Sequence, residues 1–264
     1  PFLGIAPEVK SAGREAKEVI SLPDLYIIKH PRSSAAECVR LVRTNLLFAN
    51  PGGEVSRLVI SSASPREGKT HTALNIAISM AQSGKKTLLV DSDMRRPRLH
   101  KVFGQDNSTG LSTLTVGKAE PDEAICPTEV ENLFFLPCGP LPPNPAELLQ
   151  TEQLKKMLQA LGERFERMIF DSPPIMAVAD PLILSQLTDG VILVVRSGVS
   201  TRDVVFRSVQ ALRDVNAHVL GAVLNGVDLT KPYYGRYYHY YRRSYTSGYH
   251  SNDEMARPAA AGNT

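Results

Sequence analysis

Gly68, Lys69 and Thr70, in the stretch SASPREGKT, have the types and spacing needed to hold a polyphosphate. From Ala63 to Thr70 the chain fits the pattern G-x-x-x-x-G-K-[ST], with Ala63 in place of the first glycine. In such a loop, backbone N–H groups converge on phosphate oxygens, and the following helix adds the partial positive charge of its N-terminus. The expected cradle comprises Arg66, Glu67, Gly68, Lys69, Thr70 and His71. Lys69, on a loop expected to face solvent, would reach the β- and γ-phosphates, and the Thr70 hydroxyl would ligate Mg²⁺. ATP and Mg²⁺ are therefore the expected cofactors. A chance G-K-T is common in loops, but one between an apolar strand and a helix is much rarer. His71, His100 and His218 lack the spacing for metal or triad chemistry and are assigned to structure.

Three carboxylates stand in comparable positions. KTLLVDSDMRRP ends an apolar run with Asp91 and Asp93, and RMIFDSPP ends another with Asp171. Asp171 suits the Walker-B role of holding Mg²⁺ through a water, because Mg²⁺ keeps several of its waters. Asp91 or Asp93 could be a metal ligand or the base for the attacking group. Acids that merely cap the next helix would explain one of the three but explain all three poorly. Beyond them, Arg95, Arg96, Arg98 and Lys101 form a basic cluster. It is either a solvated helix start or an anchor for phosphate or acidic groups.

The richest source of nucleophiles lies near the end of the chain. Tyr233, Tyr234, Tyr237, Tyr238, Tyr240, Tyr241, Tyr245 and Tyr249 fall within seventeen positions, and Tyr26 is the one other tyrosine. No strand or helix period would bury them. A phenol with an unperturbed pKa near ~10 needs a positioned acceptor for its proton. The same stretch carries Lys231, Arg236, Arg242 and Arg243, so stacking on single-stranded nucleic acid is a rival use. It is the weaker reading, and no nucleic-acid partner is expected.

These residues need a frame, and the order of elements supplies one. Apolar runs at 57–63, 86–93, 132–137, 167–174, 190–197 and 218–225 read as strands. They alternate with helical segments at 33–49, from about 68, and at 97–103, 145–161, 178–187 and 201–214. Strands that are apolar throughout and separated by helices predict an α/β fold, a parallel central sheet with helices on both faces. Ligands in such folds sit at the carboxyl ends of the strands, where the P-loop and the acids fall. Ser33 or Ser34 can cap the first helix, and Asn144-Pro145 suits the start of the fourth. Residues 1–32 read as a linker, 33–228 as the P-loop domain and 229–264 as a flexible tyrosine-rich tail.

Composition sets the outer bounds. Of 264 residues, 42% are hydrophobic and 22% charged, with a net charge of +3, as in an ordinary globular chain. Cys38, Cys126 and Cys138 show neither metal spacing nor an even-numbered disulfide framework. No run reaches the ~18 apolar residues of a membrane span. A start at Pro1 suggests a fragment whose membrane segment lies upstream.

The motifs SASPREGKT, LLVDSDMRRP and MIFDSPP, with LPCGPLPPNPAELL and GAVLNGVD, resemble the bacterial tyrosine kinases (BY-kinases). These belong to the deviant-Walker branch of P-loop proteins, and the resemblance covers roughly residues 33–228. The opening PFLGIAPEV is similar to the linker after the second membrane helix of polysaccharide co-polymerases. The resemblance implies a tyrosine autokinase at the cytoplasmic face of the bacterial inner membrane. It would be joined to an upstream membrane domain, reset by a cognate tyrosine phosphatase, and would regulate surface-polysaccharide export or polymerisation. It also implies that Glu37, Arg40 and Arg43, one stripe of the first helix in the pattern E-x-x-R-x-x-R, pack subunits into a ring for trans-phosphorylation. A solvated, salt-bridged helix face is the plain alternative. Asn225 would contribute to adenine recognition. The alternative function is a partitioning or positioning ATPase switch. Against it, Ser64 stands where those proteins carry a second lysine in K-G-G-x-G-K-T.

Overall fold

The computed structural model describes residues 1–8, 25–49 and 55–228. The first elements are β1 (Phe2–Pro7), α1 (Tyr26–Lys29), α2 (Ser34–Phe48), β2 (Arg57–Ser62), α3 (Lys69–Gln82), β3 (Thr87–Asp91) and α4 (Leu99–Val102). Next come α5 (Leu111–Thr115), α6 (Pro121–Ala124), β4 (Cys126–Pro127), β5 (Leu133–Leu136), α7 (Pro145–Leu149) and α8 (Glu152–Arg164). The last are β6 (Arg167–Asp171), α9 (Asp180–Ser185), β7 (Gly190–Arg196), α10 (Arg202–Asp214) and β8 (Val219–Val227).

The strands form one sheet in the order β1-β8-β7-β2-β6-β3-β5-β4. The β2–β6, β2–β7, β3–β5, β3–β6 and β7–β8 pairings are parallel, and the short β4–β5 pairing is antiparallel. Alternate side chains of each central strand enter different cores. Leu58, Ile60, Leu89 and Ile192 pack on the α2–α3 face, while Val59, Leu88, Val90 and Val191 pack on the face covered by α8, α9 and α10. Burial on both faces is why these runs are apolar throughout. The parallel pairing places the carboxyl ends of β2, β3, β6 and β7 along one edge.

The opening residues differ from the expected linker. Phe2–Pro7 is an edge strand with Leu3, Ile5 and Ala6 buried. Its pattern is too short to show a period, and Gly4 and Pro7 read as breakers. Gly4 is required because α2 lies so close that a Cβ there would sit 2.8 Å from Val42 Cγ2, at a φ of 149°. The Asn45 amide donates to Leu3 O at 2.8 Å, which secures the strand against α2.

The single helix expected over 145–161 is two. The first ends at Leu149 with Gln150 as its C-cap, and Thr151 caps the second by accepting the Leu154 N–H at 3.3 Å. Asn144 occupies the N-cap position of α7 but makes no side-chain cap, donating instead to Glu147. Ser33 caps α2 by accepting the Ala36 N–H at 3.2 Å, as expected. The short helices α5 and α6 carry too few turns to leave a periodic signal. No helix among the described residues is long and apolar enough to cross a membrane. The tyrosine-rich segment lies outside the described residues.

Candidate active site

The loop between β2 and α3 begins at Ala63, which is 1% exposed. It turns inward through Arg66, a non-glycine residue at φ 64°, and Gly68 at φ 94°. Thr72 N–H donates to Gly68 O at 2.9 Å, so α3 takes over directly from the loop. Gly68 is needed for space as well as conformation. A Cβ there would lie 1.8 Å from Asn225 Nδ2, which itself donates to Glu67 O at 2.9 Å. Gly68→Ala is therefore expected to cost about 1–2 kcal/mol for the left-handed backbone, besides displacing Asn225. Thermal unfolding with an MgADP titration should show both a lower midpoint and weaker binding.

The loop opens into a cavity of about 780 Å³. Arg66, Gly68, Lys69, Thr70, His71 and Asn225 line it, together with Asp93. Lys69 is buried rather than on a solvent-facing loop. Glu67 is the member of the expected cradle that does not reach the cavity, since its side chain is 1% exposed and bonded elsewhere. His71 lines the cavity while its ring contacts the Asn75 amide at 2.8 Å. That contact gives it a place in α3 as well as at the site.

Asp91 and Asp171 are register partners on adjacent strands β3 and β6, both fully buried behind the loop. Burial, the proximity of Asp91 and that of Asp93 raise the Asp171 carboxyl, against the lowering effects of the Thr70 hydroxyl and Lys69. Burial likewise raises Asp91, although the Leu99 and Arg98 amides oppose it. Those amides donate to Asp91 Oδ2 at 2.9 and 3.0 Å, while Asp93 Oδ1 accepts from Arg95 and Arg96. Two of the three acids therefore do cap the turn after β3, each with one oxygen.

The remaining oxygens point to a cation. Asp91 Oδ1 and Asp171 Oδ1 are buried without a protein hydrogen-bond partner. A buried carboxylate oxygen left unpaired is costly, and a hard divalent ion beside the Thr70 hydroxyl would satisfy it. Among the described residues no three His, Cys, Asp or Glu side chains could hold a metal by themselves. Mg²⁺ suits that arrangement, because it is commonly held by one or two carboxylates together with substrate phosphates. Thr70, Asp91 and Asp171 fit it.

Three features of the site carry no sequence signal. Arg95, which lines the cavity beside Arg96 and Arg98, forms a two-bond ion pair with Asp180, which is 0% exposed, at 2.8 and 2.9 Å. This pair ties the loop after β3 to the start of α9. Pro7 and Glu8, at the end of β1, contribute to the cavity wall. Arg196, at the end of β7, also lines it. Arg96 and Arg98 line the same cavity, and these two belong to the basic cluster that the sequence does mark. The E-x-x-R-x-x-R residues lie elsewhere. Arg40 bonds to Glu37 and to Pro31 O, and Arg43 donates to Ser79 O of α3 at 2.6 Å.

Comparison with known proteins agrees with this geometry. A family model described as an AAA domain matches residues 60–217. The chain is 38% identical over 216 residues to the tyrosine-protein kinase YwqD of Bacillus subtilis, covering 80% of this chain and 91% of that one. It is 34% identical over 226 residues to a putative tyrosine-protein kinase, CapB, of Staphylococcus aureus, covering 86% and 98%. Its fold matches the kinase domain of the Escherichia coli tyrosine kinase ETK with a TM-score of 0.79 at 28% identity, covering 100% of this chain and 95% of that one. A phosphate loop of this form, buried acids on neighbouring strand ends and relatives of this closeness place the chain in the bacterial tyrosine-protein kinase family.

Proposed function

We propose that this tyrosine kinase is an autokinase, transferring the γ-phosphoryl group of ATP to the tyrosines at 233–249 of a neighbouring subunit. The observation that carries the proposal is the single cavity wall shared by Lys69, Thr70 and Asp93, with Asp91 and Asp171 behind it. The P-loop amides and Lys69 neutralise the phosphates, so transfer rests on alignment and charge compensation. Mg²⁺ held by Thr70, Asp91 and Asp171 would supply further neutralisation of the transferring group. Of the two candidate proton acceptors, Asp93 reaches the cavity, whereas Asp91 is closed off at 0% exposure. Asp93 therefore takes the phenol proton. Asp93→Asn should keep MgADP binding while tyrosine labelling falls by about 10²–10⁴-fold. Labelling at the parental rate would remove Asp93 from that role.

A tethered cluster of eight tyrosines presents acceptors at high local concentration, so the sequence around each matters little. Each phosphotyrosine adds about −1.5 to −2 charges, and the segment 231–249 carries four Lys or Arg residues and no Asp or Glu. Two or three modifications cancel that character. The unmodified chain is then a ring-like oligomer and the heavily modified one mainly monomeric, with a phosphatase resetting the cycle. Such a cycle would regulate export or polymerisation of a surface polysaccharide from the cytoplasmic face of the inner membrane, through a membrane domain on the same or a partner chain.

Glu37, Arg40 and Arg43 are the proposed ring contacts. Replacing both arginines with alanine should lower the oligomer mass in light scattering and slow self-labelling at dilute protein. Because Arg43 also holds the Ser79 carbonyl, a modest fall in the unfolding midpoint should accompany it. Parental mass and labelling would reduce the motif to an intrachain brace.

A further inference from the structure

Glu67 lies within the phosphate loop, yet its carboxylate is buried at 1% exposure and is absent from the cavity wall. Its bonds reach three different segments. Oε2 accepts the Ser64 N–H at 2.8 Å, closing the loop on itself. Oε1 accepts the hydroxyl of Ser200, in the turn between β7 and α10. The Ser200 oxygen in turn accepts the Arg196 N–H at 2.8 Å, at the end of β7. Finally, the Glu67 carbonyl accepts the Asn225 amide of β8 at 2.9 Å. Arg196 and Asn225 both line the cavity.

A buried carboxylate is tolerated only where hydrogen bonds compensate its desolvation. Here the compensating donors are a loop amide and a hydroxyl from 133 residues away. We infer that Glu67 and Ser200 form a latch that positions the phosphate loop against the β7–α10 turn, setting the spacing between the loop amides and the opposite wall of the nucleotide cavity. Glu67 touches no substrate in this arrangement and acts as a positioning residue. Its carboxylate suits the task because each of its two oxygens accepts from a different donor, whereas an amide side chain would turn its NH2, a donor, toward one of them. The inference rests on the cavity taking a nucleotide, and it adds Ser200 to the residues on which that site depends.

A latch of this kind governs how well the loop is organised before nucleotide arrives. Its loss should therefore weaken nucleotide binding more than it slows the chemical step. The test is a double-variant cycle on the full chain, using Glu67→Gln, Ser200→Ala and both together. MgADP affinity is read by calorimetry, and KM for ATP and kcat are read by tail labelling. Each single variant should weaken MgADP binding and raise KM roughly tenfold, the cost of one hydrogen bond to a charged group, with kcat changed far less. The double variant should be no worse than the worse single one, because both changes break the same bond. Ser200→Thr, which keeps the hydroxyl, should restore binding. Parental MgADP affinity is measured first, so a chain that binds no nucleotide would defeat the site assignment separately. Single variants that bind MgADP like the parent would overturn the latch. So would costs that add in the double variant, or a kcat loss as large as the rise in KM.

Discussion

Lys69→Met should reduce tyrosine self-labelling by about 10²–10³-fold, the loss found when one preorganised charge-stabilising donor is removed from an active site. Lys69 opens α3, lines the cavity and is only 9% exposed. Its charge also opposes the rise of the Asp171 carboxyl. The substitution thus acts twice, withdrawing a cation from the phosphates and leaving Asp171 more readily protonated. The fold should survive, because the methionine keeps most of the aliphatic stem. The checks are circular dichroism for the fold and phosphotyrosine quantitation for activity. Undiminished labelling would exclude this loop as the catalytic one.

A second large effect is expected from pH and Mg²⁺ together. Without metal, burial raises Asp91 from 3.8 to about 7 and Asp171 from 3.8 to about 8. The folded chain then keeps protons that the unfolded chain has already released. Stability from these groups is fully present below the unfolded value of 3.8 and is lost as pH rises through the raised values. The unfolding midpoint of the metal-free protein should therefore fall by several degrees between pH 6 and pH 9. MgADP should reverse the loss at the alkaline end, because the cation replaces the protons. Asp171→Asn should flatten the profile, since one of the two titrating groups is gone. A metal-free midpoint independent of pH in the parent would show that the two acids are not held together as described.

The parallel sheet was legible because its central strands are buried on both faces and so read as unbroken apolar runs. The loop at 63–70 and the acids at 91, 93 and 171 were legible for a related reason, since a parallel sheet carries all its strand ends to one edge. What escaped was whatever depends on a partner distant in sequence. β1 is too short to show a period, and its glycine is explained only by Val42 of α2. The Arg95–Asp180 pair spans 85 residues, and neither residue stands out alone. Glu67 sits among the cradle residues in sequence, and the bond that turns it away from the cavity joins it to Ser200, 133 residues on. The break at Thr151 was nearer to hand, because threonine followed by glutamate is a usual helix start.

The central claim is that this cavity transfers phosphate from ATP to the tyrosines of its own chain type. The most direct measurement incubates the purified protein with γ-labelled ATP and Mg²⁺, tests one portion for alkali-stable label and maps the label in another by peptide. The account predicts alkali-stable phosphotyrosine concentrated at residues 233–249, absent without Mg²⁺ and absent from a chain lacking residues 233–264 that still binds MgADP. ATP hydrolysis with no label on tyrosine, accompanied by nucleotide-dependent binding to DNA or membranes, would contradict it and support a positioning-type ATPase instead.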